Sequence, residues 1–355
     1  MAEMSLDRIC QMYEKESEAY MTGPIPWEWL EGKTILVAGA NGVIGAAVVR
    51  LLLHRNHFHG GNMRLLAVSR SREHFLQCFA GQYEEAELSY YAMDISENVQ
   101  IPERADYVIC AAGDGDPASF AAHPVEVMTS NLAGLDHLLG YSRQCGCKRV
   151  LYLSSGEVYG QSVEGQSFDE TFSGYVDHSK ARSCYPAAKR AAEVLCQSWI
   201  QEYGTDIVIA RPCHIFGPDM KASDSRAAAQ FFFRAVRGEE LVMKSDGRQQ
   251  RSMCCSFDCA EALLLLLLSG VCGEAYNIAG KEQVVSIRQL AGMIAGAGGV
   301  GLRMETPTQT EKNSYNPVEK SILDWHKIYA LGWRPRKSVE EGIQSTLEIM
   351  KEKVG

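Results

Sequence analysis

The chain has 355 residues, 46% of them hydrophobic and 22% charged, with a formal net charge of -9 at pH 7. That length and mixture suit a globular protein with a sizeable core, as one large domain or two modest ones. The acidic balance argues against a nucleic-acid-binding face, which needs clustered positive charge.

Residues 1–32 carry mixed charge, then Thr22-Gly23-Pro24-Ile25-Pro26 and the pair Trp27 and Trp29. They read as a helix followed by a docking segment without chemistry of its own. From Lys33 the pattern changes. Residues 34–38 are a short apolar run of buried-strand type ended by Gly39, and a helical pattern spans 46–53. Strand-like runs follow at 64–69, 88–93, 107–111, 150–154 and 206–210, separated by helical patterns at 73–79, 125–143 and 187–202. Alternation of this kind predicts an α/β fold, a Rossmann-type doubly wound parallel sheet covered on both faces. After Arg211 the rhythm breaks. A helix at 227–237, a basic stretch at 248–251, a leucine-rich buried helix around 262–268, a strand at 275–278, and helices and loops over 287–351 are expected. The organisation is therefore an extension (1–32), a dinucleotide-binding domain (33–210, with part of 249–280 returning to it) and a smaller, interleaved C-terminal substrate lobe (mainly 211–355).

The longest apolar run is far shorter than the ~20 residues of a membrane span. The N-terminus lacks the apolar core of a signal peptide. Among twelve cysteines there is no Cys-x-x-Cys, and Cys145-Gly-Cys147 and Cys254-Cys255 lack metal-finger spacing. Reduced thiols, no metal site, no membrane association and a cytoplasmic protein are the expectations.

The first strand runs into Gly39-Ala40-Asn41-Gly42-Val43-Ile44-Gly45. Glycines at this spacing permit a tight turn, close approach of backbone to a pyrophosphate, and close packing of helix on strand. The following helix then presents its N-terminus to the phosphates. At the end of the second strand, NAD folds usually place a carboxylate for the ribose hydroxyls. Here the residues are Ser69-Arg70-Ser71-Arg72, which suit a 2′-phosphate, so NAD against NADP stays open. Asp94 and Ile95 end the third strand and are placed beside the adenine. Ala111, Ala112 and Gly113 end the fourth, where small residues let backbone approach a cofactor.

Of the fifteen tyrosines, only Tyr185 has a lysine four residues on, Lys189. On a helix the two share a face. A nearby ammonium favours the phenolate and makes the tyrosine a usable general base. Ser155, leaving the fifth strand in Ser154-Ser155-Gly156-Glu157, is placed to bond the same substrate hydroxyl.

These residues resemble the extended short-chain dehydrogenase/reductase family, the sugar-nucleotide epimerases, dehydratases and decarboxylases. The likeness spans roughly residues 33–345. Asn131 matches the family's helix asparagine. Residues 211–218, Arg-Pro-Cys-His-Ile-Phe-Gly-Pro, match its loop, with Pro212 included and His214 where asparagine is usual. Residues 331–335 match a C-terminal signature. The nearest likeness within the family is to UDP-glucuronate decarboxylases. It is carried by Arg182-Ser183-Cys184-Tyr185 with Lys189-Arg190, by Met220 to Arg226, and by Gln250-Arg251-Ser252.

The resemblance implies a tightly held NAD(P), a nucleotide-sugar substrate (a UDP-sugar favoured) and a homodimer built on the helices at 125–143 and 187–202. It implies Ser155, Glu157, Tyr185 and Lys189 as catalytic residues, and His214, Arg226 and Arg251 beside the substrate. Tyr185 would take a proton from the sugar 4-hydroxyl while hydride leaves C4. The 4-keto sugar then loses carbon dioxide, is reduced on its other face, or loses water. Dehydration needs two acids after Ser155, and Gly156 stands in place of one. A UDP-glucuronate decarboxylase-like lyase is the leading expectation. The alternatives are a nucleotide-sugar 4-epimerase or 4,6-dehydratase, a simple dehydrogenase or reductase that releases NADP(H), and a non-catalytic dinucleotide-binding scaffold.

Overall fold

The computed structural model describes residues 2–84, 86–161, 167–305 and 319–354. Its centre is a seven-stranded, all-parallel sheet built from β1 (Thr34–Ala38), β2 (Arg64–Ser69), β3 (Leu88–Ala92), β4 (Tyr107–Cys110), β5 (Arg149–Leu153), β6 (Ile207–Pro212) and β10 (Ala275–Ile278), in the order β10-β6-β5-β4-β1-β2-β3. The order reverses between β1 and β4. A crevice opens there at the carboxyl ends of the strands, where doubly wound folds bind ligands.

The residue choices explain the elements. Ile35 to Ala38 and Leu65 to Val68 are almost wholly buried, as strands covered on both faces must be. Between them runs α2 (Val43–His59), stopped by Gly60 in the left-handed region at φ 67°. On the other face lie α5 (Pro124–Cys145) and α6 (Cys184–Tyr203), paired with each other and ended by Gly146 and Gly204, both left-handed. The leucine-rich segment is the centre of α8 (Ser256–Ser269). Its residues 256–268 are all buried, because α2 and the sheet enclose it.

Sequence boundaries and observed ones differ mainly at the ends. The strand expected at 107–111 stops at Cys110, that at 150–154 stops at Leu153, and that at 206–210 continues to Pro212. Residues 287–351 are not helices and loops alone. They include β12 (Leu302–Met304) beside β8 (Leu241–Met243), and the two-residue β13 (Lys320–Ser321); residues 306–318 lie outside the described ones. Such short strands carry too few residues to show a period.

The second layer of structure gathers around β9 (Gln250–Cys255). It pairs with β7 (His214–Phe216), β11 (Val284–Ser286) and β13. With α7 (Ala227–Val236), α9 (Ile287–Gly298) and the C-terminal helix Val339–Val354 it encloses a separate core that includes Phe216, Phe232, Leu290, Ile294, Ile343 and Leu347. The chain crosses between the two cores repeatedly, since α8 and β10 belong to the large sheet. The N-terminal helix α1 (Ala2–Glu18) and Tyr20, Ile25, Trp27 and Leu30 pack onto the first core.

Candidate active site

The glycine loop leaves β1 at the crevice. Gly39 adopts φ +83°, and a Cβ there would stand 2.6 Å from the Ala111 carbonyl oxygen. A Cβ on Gly45 would stand 2.1 Å from the Gly39 carbonyl oxygen. Only glycine fits either place. Helix α2 begins at Val43 with Gly42 as its cap and no side chain on its first amides. Those amides have no partner within the helix. Across the loop, Asn131 is buried. Its amide nitrogen donates to the Val127 carbonyl at 2.7 Å, and its Oδ1 has no partner among the described residues. A glycine cradle, open helix amides and a waiting buried acceptor fit a dinucleotide with an amide-bearing nicotinamide.

The end of β2 differs from the sequence expectation in one respect. The Ser69 hydroxyl lies 3.1 Å from the Tyr90 hydroxyl, and Tyr90 in turn donates to the Ser69 carbonyl at 2.9 Å. Ser69 is buried, and its hydroxyl is engaged by Tyr90 of the neighbouring strand. Ser71 caps α3 (Arg72–Phe79) by accepting from the His74 amide. Arg70 and Arg72 remain exposed at the end of β2. Asp94 accepts from the Ser96 amide and hydroxyl, which hold its carboxyl below the usual range. Ile95 sits against Gly134 of α5. His74, which the sequence did not single out, reaches the backbone of Asn41.

Tyr185 lies in the first turn of α6 and is half-buried. Its ring stacks on Phe120 at 4.7 Å between centroids, 14° from parallel. A methyl group placed on Gly115 would stand 3.5 Å from its hydroxyl. The loop after β4 therefore covers the phenol. Burial pushes the phenol up to about 12, although Ser155 beside it favours ionisation. Lys189 follows one turn later. Its Nζ donates to the Leu153 carbonyl at 2.8 Å and lies 5.9 Å from the Tyr185 ring. Burial brings the ammonium down to about 8. The expectation that Lys189 lowers the Tyr185 pKa is not met in this state, because a backbone carbonyl holds the lysine and both groups are desolvated. Gly113 lies between Asn131 Oδ1 and Lys189 Nζ, which a Cβ there would approach to 3.1 and 3.4 Å.

Around Tyr185 stand further charges. Glu157, Arg226 and Asp114 all act on its phenol. The carboxylate of Glu157 is 3.5 Å from Arg182. Arg226 pairs with Asp224. Arg251 is 5% exposed, donates to the Gln250 and Glu319 carbonyls, and is brought down to about 10 by burial, with Glu157 opposing. Arg251 and Arg226 face His214, which burial and these two cations hold neutral down to about 3. Pro212 ends β6 behind Gly156: a Cβ on Gly156 would meet Leu323 Cδ1 and the Pro212 carbonyl oxygen, both at 3.3 Å.

Behind the site, Arg211 donates twice to Glu193 (2.9 and 2.6 Å) and once to the Tyr159 hydroxyl (2.9 Å), while Glu193 accepts from Ser154. This half-buried pair ties the ends of β5 and β6 to α6, at the places where Ser155 follows β5 and where Pro212 and Tyr185 lie. Phe120, Gly115, Leu323 and Glu193 were not found from sequence. Each acts through contacts between segments far apart in the chain, and no local motif signals them.

The doubly wound sheet with this serine, tyrosine and lysine set is that of an extended short-chain dehydrogenase/reductase. Residues 35–279 match the model of the NAD dependent epimerase/dehydratase family, and the chain belongs to that family. It is 26% identical over 333 residues to UDP-glucuronic acid decarboxylase 1 of Xenopus tropicalis, covering 91% of this chain and 73% of that one. It is 28% identical over 265 residues to UDP-glucuronic acid decarboxylase 6 of Arabidopsis thaliana, covering 74% of each. Among solved structures it is similar to a UDP-glucose 4-epimerase of Thermotoga maritima with UDP-glucose, at 25% identity and TM-score 0.75, covering 91% of this chain and 100% of that one. The fold is shared with DesIV, a dTDP-glucose 4,6-dehydratase of Streptomyces venezuelae with NAD bound, at 22% identity and TM-score 0.74, over 90% and 97% of the two chains.

Proposed function

We propose that the protein is a nucleotide-sugar lyase that decarboxylates a UDP-hexuronate through a transient 4-keto sugar and keeps its nicotinamide dinucleotide bound. The observation that carries this reading is the set of charges converging on Tyr185: Glu157 and Arg226 beside the phenol, with Arg251 facing Glu157 and His214. A guanidinium suits bidentate binding of a carboxylate or a diphosphate.

In this reading Gly39, Asn41, Gly42, Val43, Ile44 and Gly45 hold the pyrophosphate, Ala111 to Gly113 line the crevice, and Asn131, Pro212 and His214 border the nicotinamide end. The chemistry the cofactor supplies when bound is reversible hydride uptake at the sugar C4. Tyr185, as phenolate, accepts the C4 hydroxyl proton. Ser155 orients that hydroxyl, and Lys189 provides the cation that favours the phenolate; with a dinucleotide bound, its ammonium would also hold the nicotinamide ribose. The resulting ketone is β to the C6 carboxylate, so the carbon–carbon bond breaks with its electrons moving into an enolate. Arg226 and Arg251 neutralise the diphosphate or the departing carboxylate, and Glu157 acts on the sugar ring at the keto stage. C5 takes a proton from water in place of the lost carboxylate, and Tyr185 then returns its proton as the C4 alcohol re-forms.

Dehydration is disfavoured: the acid it requires after Ser155 is replaced by Gly156, where a Cβ would make tight contacts of 3.3 Å with Leu323 Cδ1 and the Pro212 carbonyl oxygen. The second reading, 4-epimerisation, is favoured by the likeness to the Thermotoga epimerase. Incubation with UDP-glucuronate separates the two. Carbon dioxide and a UDP-pentose support the lyase. A hexuronate of unchanged mass and altered C4 configuration supports the epimerase. Unchanged UDP-glucuronate on cofactor-loaded protein rejects the lyase, and unchanged UDP-glucose in a parallel incubation rejects the epimerase.

For the cofactor, the absence of a carboxylate after β2 and the exposed Arg70 and Arg72 support NADP. Tighter binding of NADP than NAD, reduced by Arg70→Ala, is the expected result; equal affinities reject it. For assembly, the apolar side chains that α5 and α6 leave outward, Val125 at 74% and Val194 at 65% exposure, support a homodimer across this helix pair. Light scattering of the wild type against Val194→Glu tests it.

A further inference from the structure

Helix α1 ends at Glu18, beside the last two turns of α2. His54 Nε2 lies 2.7 Å from Glu18 Oε2, and His59 Nε2 lies 2.9 Å from the same oxygen. One ligand atom from each of the three side chains falls within 4.8 Å of the others. We infer that Glu18, His54 and His59 form a site for one divalent transition-metal ion of the zinc class, which fastens the N-terminal helix to the nucleotide-binding half.

The convergence is specific. Residues five apart on an ideal helix point roughly 140° from each other. His59 overcomes this because it is the final residue of α2, followed by left-handed Gly60. Its ring comes to 5.8 Å from that of His54. His54 is fixed in place: it is 6% exposed and its ring lies 4.6 Å from that of Phe58. Its Nδ1 has no hydrogen-bond partner among the described residues, so no neighbour fixes the tautomer and Nε2 is free to offer its lone pair to an ion. Two imidazoles and a carboxylate are a donor set for zinc, cobalt, nickel or copper rather than for magnesium or calcium. The Glu18 side chain is 54% exposed, which leaves an open side for water as a fourth ligand. His57 stands apart, with its Nε2 2.6 Å from Glu87.

The place argues for a structural clip. Helix α2 begins at the glycine loop and is 17 residues long, so its far end stands about 25 Å away from the crevice. This inference departs from the sequence expectation of no metal, which considered cysteine spacing. A carboxylate 36 residues before the first histidine matches no ligand spacing that a sequence pattern would flag.

The test uses the full chain, with any affinity tag removed and metals stripped by chelator. Zinc chloride is titrated calorimetrically, and cobalt(II) is followed by its visible absorption. One ion per chain, a tetrahedral cobalt spectrum and a rise in Tm of roughly 2–4 °C are expected. Glu18→Gln and His59→Gln, both at partly exposed positions, should each weaken binding at least tenfold and abolish the Tm rise. His57→Gln should leave both unchanged. Absence of saturable binding overturns the inference. So does undiminished affinity in His59→Gln, which would assign the zinc to cysteine thiols.

Discussion

Tyr185 and His214 show how burial reshapes individual groups. Tyr185→Phe keeps the ring that stacks on Phe120 and removes only the proton acceptor. Turnover of UDP-glucuronate should fall by at least about 100-fold, while retained dinucleotide, measured by absorbance after denaturation, stays at the wild-type level. Retained turnover would refute the assignment of Tyr185 as base. His214 is held neutral down to about 3, whereas in the unfolded chain it titrates near ~6.5. Between those values the unfolded state binds more protons, so this contribution to stability is complete above about 6.5 and fades as pH falls toward 3. His214→Asn removes it. Urea midpoints at pH 7 and pH 5 should therefore fall further in the wild type than in the variant, and equal losses would contradict the placement. At this scale the sequence exposed Tyr185 and Lys189, because four residues bring two side chains to one helix face. It did not expose the carbonyl that captures Lys189 or the stacking of Phe120, since both depend on packing between distant segments.

The element that most depends on a single residue is the junction of β1 and α2. A methyl group on Gly45 would stand 2.1 Å from the Gly39 carbonyl oxygen, so Gly45→Ala must push the helix off the strand. It should cost roughly 1–3 kcal/mol in denaturant unfolding and lower the fraction of dinucleotide that co-purifies. An unchanged midpoint would mean that the helix does not pack as described. The strand β2 was legible to the residue (64–69), as was β10 (275–278): β2 has an apolar centre between Arg64 and Ser69, and β10 is a short run closed by the Ala279-Gly280 break. The ends of β4, β5 and β6 were not, because strand ends are decided by the neighbour that is there to pair. The hydroxyl of Ser69 follows the same logic: the sequence offered it to a phosphate, and Tyr90 on the adjacent strand takes it instead.

Across the whole molecule, Asp219 joins three distant segments. Its carboxylate accepts from Arg50 of α2 at 2.5 Å, from Lys353 of the C-terminal helix at 2.8 Å and from Tyr13 of α1 at 3.0 Å. Burial would raise its pKa, but the two cations prevail and hold it below the usual carboxylate range. Asp219→Ala leaves Arg50 buried without its partner and should cost about 3–5 kcal/mol, read as a lower denaturation midpoint with one transition. Asp219→Asn, which keeps the shape, should cost less. Residues 1–32 thus hold the two ends of the chain together, and Tyr20 adds a hydrogen bond to the buried Asp258. The sequence by itself determined the class of fold, the glycine loop, and the order of Ser155, Tyr185 and Lys189, because strand and helix periods and short-range spacings are local properties. Tertiary structure alone decided that Gly156 lies against Leu323 and Pro212, that the charges of Arg226 and Arg251 both act on His214, and that Glu18 meets two histidines of α2. Those relations join residues tens to hundreds apart, and only the packing of the two cores sets their distances.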